Sequence, residues 1–154
     1  MVEHTALPAD LDGWLALLEQ RHGQRIELGL ERVAAVRARM AVESDAVLIT
    51  VGGTNGKGSC CAMLEGILLA SGYRVGCYTS PHLLRYNERV RIDGKDVDDA
   101  TLVAGFAAVE AARGDTPLTY FEHGTLAAWQ VFADAKPDVI ILEVGLGGRL
   151  DAVN

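Results

Sequence analysis

Gly52-Gly53-Thr54-Asn55-Gly56-Lys57-Gly58-Ser59 follows an apolar run and precedes a helical one, and that placement gives the residues a chemistry. Where a strand hands over to a helix, successive backbone N–H groups converge on anionic oxygens and the helix N-terminus adds partial positive charge. Glycines let the backbone come close. Lys57 would bring a point charge to the β- and γ-phosphates of a nucleotide, and Ser59 a hydroxyl for Mg²⁺ or a phosphate oxygen. The stretch departs from G-x-x-x-x-G-K-[ST] in two places: Val51 stands at the first glycine position, and Gly58 lies between Lys57 and Ser59. Set between strand and helix, it still predicts phosphate binding rather than a glycine-rich turn with a solvated lysine.

Glu143 is the second part. It ends the apolar run Asp138-Val-Ile-Ile-Leu-Glu143 and is followed by Gly145-Leu146-Gly147-Gly148. A carboxylate at the C-terminal end of a parallel strand, opposite a phosphate loop, is where such folds hold the metal that bridges phosphate oxygens. Arg85, Arg89 and Arg91 form a local basic cluster, read as a solvated strand face in preference to an anionic-substrate contact. Cys60, Cys61 and Cys77 make an odd count without C-x-x-C spacing. They are expected to be reduced core thiols, the first two on a buried helix.

These groups need elements to hold them. Leu11, Trp14, Leu15 and Leu18 recur at helical spacing behind Asp10, a good N-cap, and predict a helix to about Arg21. A second helix is expected from Leu30 to Val42. Ala46 to Val51 is β-branched and apolar throughout, as in a strand covered on both faces. Ser59 to Ala70 is apolar nearly all round and helical, and Arg74 to Thr79 is a strand, so the loop sits in a βαβ unit. Residues 80–87 form a loop, and Arg89 to Ile92 a short strand entering a tight turn at Asp93-Gly94. Helices follow at Asp98 to Arg113 and from about Gly124 to Ala133, then the strand that ends at Glu143. The pattern predicts an α/β, P-loop-containing fold with a mainly parallel sheet flanked by helices.

The 154 residues carry 14 Lys plus Arg against 21 Asp plus Glu, a formal charge of −7. That is the wrong sign for tracking a phosphate backbone, so nucleic acid is excluded as the main partner. Nothing reads as a signal peptide or as 18 unbroken apolar residues, so the expectation is a cytoplasmic protein without a membrane partner. A chain of this size can form a core without disulfides or a structural metal. The open sheet edge near the last residues predicts a cut-off domain and poor solubility of the isolated piece.

Several motifs in one order carry a family resemblance. Gly53-Thr54-Asn55-Gly56-Lys57-Gly58-Ser59 comes first. Thr79-Ser80-Pro81-His82-Leu83 with Asn87-Glu88-Arg89-Val90 comes next, then Leu142-Glu143-Val144-Gly145-Leu146-Gly147-Gly148-Arg149-Leu150-Asp151. Together they closely resemble the bifunctional dihydrofolate synthase/folylpolyglutamate synthases of the Mur ligase superfamily. The match also runs through Ile26 to Arg32 and Leu118 to Thr125. It implies that Gly56, Lys57, Gly58 and Ser59 bind the phosphates of ATP, Lys57 with a catalytic role, and that Ser80 and Glu143 hold Mg²⁺. It further implies a dihydropteroate pocket lined by Glu27, Leu28, Gly29 and Leu30, by Thr119, Tyr120, Phe121 and Glu122, and by Leu150, Asp151 and Ala152. In that pocket Asp151 could accept from pterin N–H groups and Phe121 could stack.

The implied reaction is phosphorylation of a carboxylate of dihydropteroate or a folate by ATP, followed by attack of the amine of L-glutamate. His82 is expected to shape its loop. Val153 stands where the family commonly has Thr. The resemblance covers residues 1–154 as the N-terminal part of a Mur-ligase-like ATP-binding domain, with the rest of that domain and the C-terminal domain absent. Little or no ligase activity is therefore expected of the chain alone, and a monomer is expected for the parent. Two other readings use the same loop: a P-loop kinase acting on a small metabolite, and a non-catalytic nucleotide-binding module.

Overall fold

A computed structural model of the chain describes residues 6–22, 29–146 and 148–153. Among the described residues the strand Val139–Glu143 (β5) is the second of five across one sheet, between an edge strand and the middle one. It pairs in parallel with Val47–Val51 (β1) on one side and Val75–Tyr78 (β2) on the other. Val90–Ile92 (β3) runs antiparallel to β2 and turns through Asp93-Gly94 into Lys95–Asp96 (β4). Both turn residues have positive φ, 50° and 78°, the geometry that a tight hairpin with right-handed twist requires. The sheet is thus parallel where the phosphate loop attaches and antiparallel at its far edge. The strands of the expected βαβ unit, β1 and β2, are not neighbours: β5 is inserted between them. That insertion brings the C-terminal ends of β1, β5 and β2 side by side.

Alternation along β5 divides the core. Ile140 and Leu142 join one cluster with Trp14, Phe106, Leu126 and Phe132, contributed by Leu11–His22 (α1), Asp99–Arg113 (α4) and Tyr120–Ala135 (α5). Ile141 faces the other way, into a smaller cluster with Val51, Cys61, Val75 and Cys77 under Lys57–Ala70 (α3). Glu31–Met40 (α2) packs on α4. Helix ends follow their side chains: the Asp98 carboxylate accepts from Thr101 N at 2.8 Å and starts α4. No helix among the described residues is long and apolar enough to cross a membrane.

Several expectations need correction. β1 is an edge strand rather than one covered on both faces, and Val47 is 63% exposed. α3 buries one face only, through Cys61 and Glu65, while Met63 is 69% exposed. Cys60 therefore lies on the surface, although Cys61 and Cys77 are core thiols as expected. The arginines at 85, 89 and 91 do not share a solvated face. Arg91 reaches across to the buried Glu65 at 2.8 Å, Arg85 pairs with Asp99, and Arg89 turns toward the site described below. α5 begins at Tyr120 instead of Gly124, because Thr119-x-x-Glu122 is a capping box. Glu122 N donates to Thr119 Oγ1 at 3.2 Å, and Thr119 N donates to Glu122 Oε2 at 2.8 Å.

The buried His123 sets an acid limit on this core. Its ring lies among Trp14 and Phe106, with a nitrogen 3.3 Å from the Phe106 carbonyl oxygen. Burial lowers its pKa from 6.5 to about 4. Between those values the unfolded chain binds a proton that the folded one refuses, so stability is full above pH 6.5 and falls as the pH drops toward 4. The loss is about 3 kcal/mol for a shift of this size. Glu110, held to about 2 chiefly by hydrogen bonding from Arg113 and also from Arg21, extends the loss below pH 4.5. Urea midpoints measured across pH 4–7 should decline on the acid side in the wild type and stay nearly level between pH 6.5 and 4.5 in His123→Gln. Parallel declines in the two would contradict this assignment.

Candidate active site

β1 ends at Val51, and the chain crosses to α3 through a loop whose shape depends on glycine. Gly53 has φ 151° and Gly56, the N-cap of α3, has φ 77°, conformations that residues with a Cβ rarely adopt. No atom of the described residues lies where a Cβ on Gly56 would project, so the constraint there is the backbone itself. Lys57 folds back over this loop and donates from Nζ to the Gly53 carbonyl at 2.8 Å. The helix ladder begins with Cys60 N on Gly56 O at 2.9 Å. The N–H groups of Lys57, Gly58 and Ser59 precede it and have no acceptor within the helix. A turn of amides at a helix N-terminus, under an ammonium group, can hold phosphate oxygens.

The adjacent strand delivers the acid. Val144 N donates to Val51 O at 2.9 Å and keeps the ends of β1 and β5 together. Glu143, 5% exposed, then lies against the loop: a Cβ built on Gly58 would stand 3.9 Å from its Oε1. Its other oxygen, Oε2, accepts from Ser80 N at 2.9 Å. The Ser80 hydroxyl and the Glu143 carboxylate are hard oxygen donors, suited to Mg²⁺. No group of three His, Cys, Asp or Glu side chains fit for a metal occurs among the described residues.

Facing the loop across a cavity of about 580 Å³ are Phe121 and Asp151. The Phe121 ring packs so closely on Gly145 that a Cβ there would come within 2.8 Å of Cζ. Asp151, 3% exposed, accepts from Leu146 N at 2.6 Å and from Val153 N at 3.0 Å, and so folds the segment after β5 around itself. Glu122 serves its capping box and also binds Arg32 of α2 at 2.8 Å. In this way it ties the start of α5 to the helix that follows Gly29.

The cavity brings together Gly56, Lys57, Gly58, Ser80, Glu143, Gly29, Thr119, Phe121, Glu122, Leu150, Asp151 and Ala152. Three of the expected residues do not line it. Ser59 is exposed on α3, because Gly58 occupies the position after Lys57 and turns Ser59 about 100° further round the helix. Tyr120 packs edge-on against Tyr86, and Leu30 is the N-cap of α2. Glu27 and Leu28 lie outside the described residues. Thr54, Asn55, Pro81, Arg89, Gly145 and Leu146 line the cavity as well, and of these Arg89 carries charge.

Arg89 ends a short 3-10 turn, Tyr86–Arg89, where sequence alternation indicated a strand. The Glu88 side chain organises the preceding loop by accepting from the amides of Leu83, Leu84 and Arg85, which holds its carboxyl below the usual range. Arg89 Nε donates to His82 Nδ1 at 2.8 Å, so His82 does shape this loop. Burial, with the Arg89 charge beside it, lowers the His82 pKa. Beneath them the Tyr78 hydroxyl meets that of Thr125 at 3.2 Å, and burial pushes the Tyr78 pKa up to about 12.

No family model matches the chain. Dihydrofolate synthase/folylpolyglutamate synthase of Escherichia coli is 57% identical over 145 residues, which make up 94% of this chain and 34% of that protein. The Haemophilus influenzae protein of the same name is 54% identical over 142 residues, 92% of this chain and 32% of that one. Among solved structures, E. coli FolC in complex with DHPP and ADP superposes with a TM-score of 0.91 at 55% identity, covering 96% of this chain and 36% of that one. A bifunctional folylpolyglutamate synthase/dihydrofolate synthase with Mn, AMPPNP and L-glutamate bound gives 0.89 at 56% identity, covering the same 96% and 36%. The chain thus spans about a third of the length of the relatives it matches.

Proposed function

We propose, for a chain that belongs to the dihydrofolate synthase/folylpolyglutamate synthase family, that it supplies the nucleotide-phosphate, metal and pterin sites of an ATP-dependent ligase. Gly56, Lys57 and Gly58 hold the phosphates. Glu143 and Ser80 hold Mg²⁺, which when bound neutralises phosphate charge. Phe121, Asp151 and the residues around them, with Gly29 and Thr119, hold the pterin. The observation that carries this reading is the convergence of Lys57, Glu143, Phe121 and Asp151 on one cavity, because it sets a phosphate cradle beside an aromatic, hydrogen-bonding wall. Residues 1–154 form part of one ATP-binding domain, and the remaining ligand contacts come from other parts of a longer protein.

In the proposed reaction a carboxylate oxygen of dihydropteroate or a folate bonds to the γ-phosphorus of ATP as the bond to the bridging oxygen breaks and ADP leaves. The amine of L-glutamate then attacks the acyl carbon. A C–N bond forms, phosphate departs with the electron pair of the C–O bond, and the amine loses a proton. Lys57 offsets charge on the transferred phosphoryl group, while the cavity walls hold the reacting atoms in line. No covalent enzyme intermediate is needed.

ADP release by the full-length protein, measured with dihydropteroate and with and without L-glutamate, tests the proposal. Release that requires both is expected, and ATP turnover independent of glutamate would contradict it. The 154-residue chain alone is expected to show little or no turnover in the same assay.

A further inference from the structure

We infer that Arg89 receives the carboxylate of the acceptor and makes the site select an acid over its amide; the inference rests on the ligase reading above. Arg89 lines the cavity and is half-buried. One of its N–H groups is spent on His82. The guanidinium lies 5.2 Å from the centroid of the Tyr86 ring and 6.0 Å from that of Tyr120. Aromatic faces orient a guanidinium plane without neutralising it. Arg91 and Arg113 each have a carboxylate partner at 2.8 Å, whereas no ion pair forms at Arg89 among the described residues.

The acids of the cavity are engaged elsewhere. Glu122 holds Arg32 and the Thr119 amide, Asp151 holds the amides of Leu146 and Val153, and Glu143 takes the Ser80 amide. Arg89 thus presents an oriented, charged fork toward the cavity with no ion-pair partner among the described residues, and leaving a charge so placed is costly unless something else pairs with it. An entering oxyanion would do so. Two positions could supply one, the phosphates and the acceptor. Lys57 already serves the phosphate loop, whereas Arg89 stands against Tyr120, beside Phe121 on the opposite wall. A planar carboxylate accepts two parallel N–H bonds from a guanidinium, a geometry an amide cannot match.

Calorimetric titration of the full-length protein with dihydropteroate, with its primary carboxamide, and separately with Mg-ADP tests this in the wild type, Arg89→Met and Arg89→Lys. The wild type should prefer the acid roughly 10- to 100-fold, the range of a hydrogen bond to a charged group. Arg89→Met should bind acid and amide alike, with unchanged Mg-ADP affinity. Arg89→Lys keeps the charge but lacks the fork and should retain only part of the preference; it carries the test if Arg89→Met does not fold. An undiminished preference in the variants would overturn the inference, as would weakened Mg-ADP binding with the preference intact, which would place Arg89 on the phosphates. A wild type that takes up Mg-ADP but neither pterin compound would overturn the pterin site of the ligase reading and the inference with it.

Discussion

Lys57→Met in the full-length protein is expected to lower glutamate-dependent ADP release by about 100- to 1,000-fold, the usual cost of removing a preorganised group that meets developing charge. Among the described residues the side chain has one hydrogen-bond partner, the Gly53 carbonyl at 2.8 Å, and it is half exposed at the start of α3. Its removal leaves no buried group unsatisfied, so the urea midpoint should stay close to that of the wild type. Loss of turnover with stability kept separates an electrostatic role from a structural one. Lys57→Arg tests the point further, because a larger, planar cation cannot take the same place over a glycine loop. Turnover within a few-fold of wild type in Lys57→Met would remove Lys57 from the chemistry.

The second large effect is on stability. Glu122→Ala should destabilise the chain by about 3–5 kcal/mol, as when one member of a buried, hydrogen-bonded pair is deleted. The buried carboxylate accepts from Thr119 N at 2.8 Å and pairs with Arg32 at 2.8 Å. Its loss uncaps α5 and removes a charge-assisted hydrogen bond from the partly buried Arg32. Glu122→Gln keeps the size and can still accept from Thr119 N, so it should cost less. Because Arg32 lies on the helix that follows Gly29, both variants should also weaken pterin binding more than Mg-ADP binding. Chemical denaturation together with the two titrations checks the pair of effects. An Ala variant as stable as the wild type would show that the cap and ion pair contribute little.

Glu122 also illustrates what the sequence does and does not disclose. Its neighbourhood in the cavity followed from family resemblance, but its ion pair joins residues 90 positions apart, which no local pattern encodes. The capping box was legible in principle as Thr119-x-x-Glu122, and it explains why α5 starts four residues before the first apolar periodicity. The phosphate loop and Glu143 could be read because each depends on a local transition at the end of a strand. Their adjacency depends on β5 lying between β1 and β2, a fact of strand order.

Composition misled where it described apolar content without geometry. β1 and α3 contain the residues of buried elements, yet one is a sheet edge and the other turns Met63 outward. Arg89 was hidden for another reason. Three alternating residues, Arg89, Val90 and Arg91, fit a strand, but the strand begins only at Val90, and the 3-10 turn before it sends Arg89 to the cavity while Arg91 reaches Glu65. Periodicity over so short a stretch does not distinguish the two.

If the loop around Lys57 holds nucleotide phosphates together with a divalent cation bound at Glu143, Mg²⁺ should tighten nucleotide binding. Calorimetric titration of ADP into the full-length protein, with and without Mg²⁺ and repeated on Glu143→Gln, checks this. Tighter ADP binding with Mg²⁺ is expected in the wild type, with loss of that Mg²⁺ dependence in the variant, in which a neutral amide replaces the carboxylate. No heat of ADP binding to the folded full-length wild type, or an equal Mg²⁺ dependence in both proteins, would contradict it.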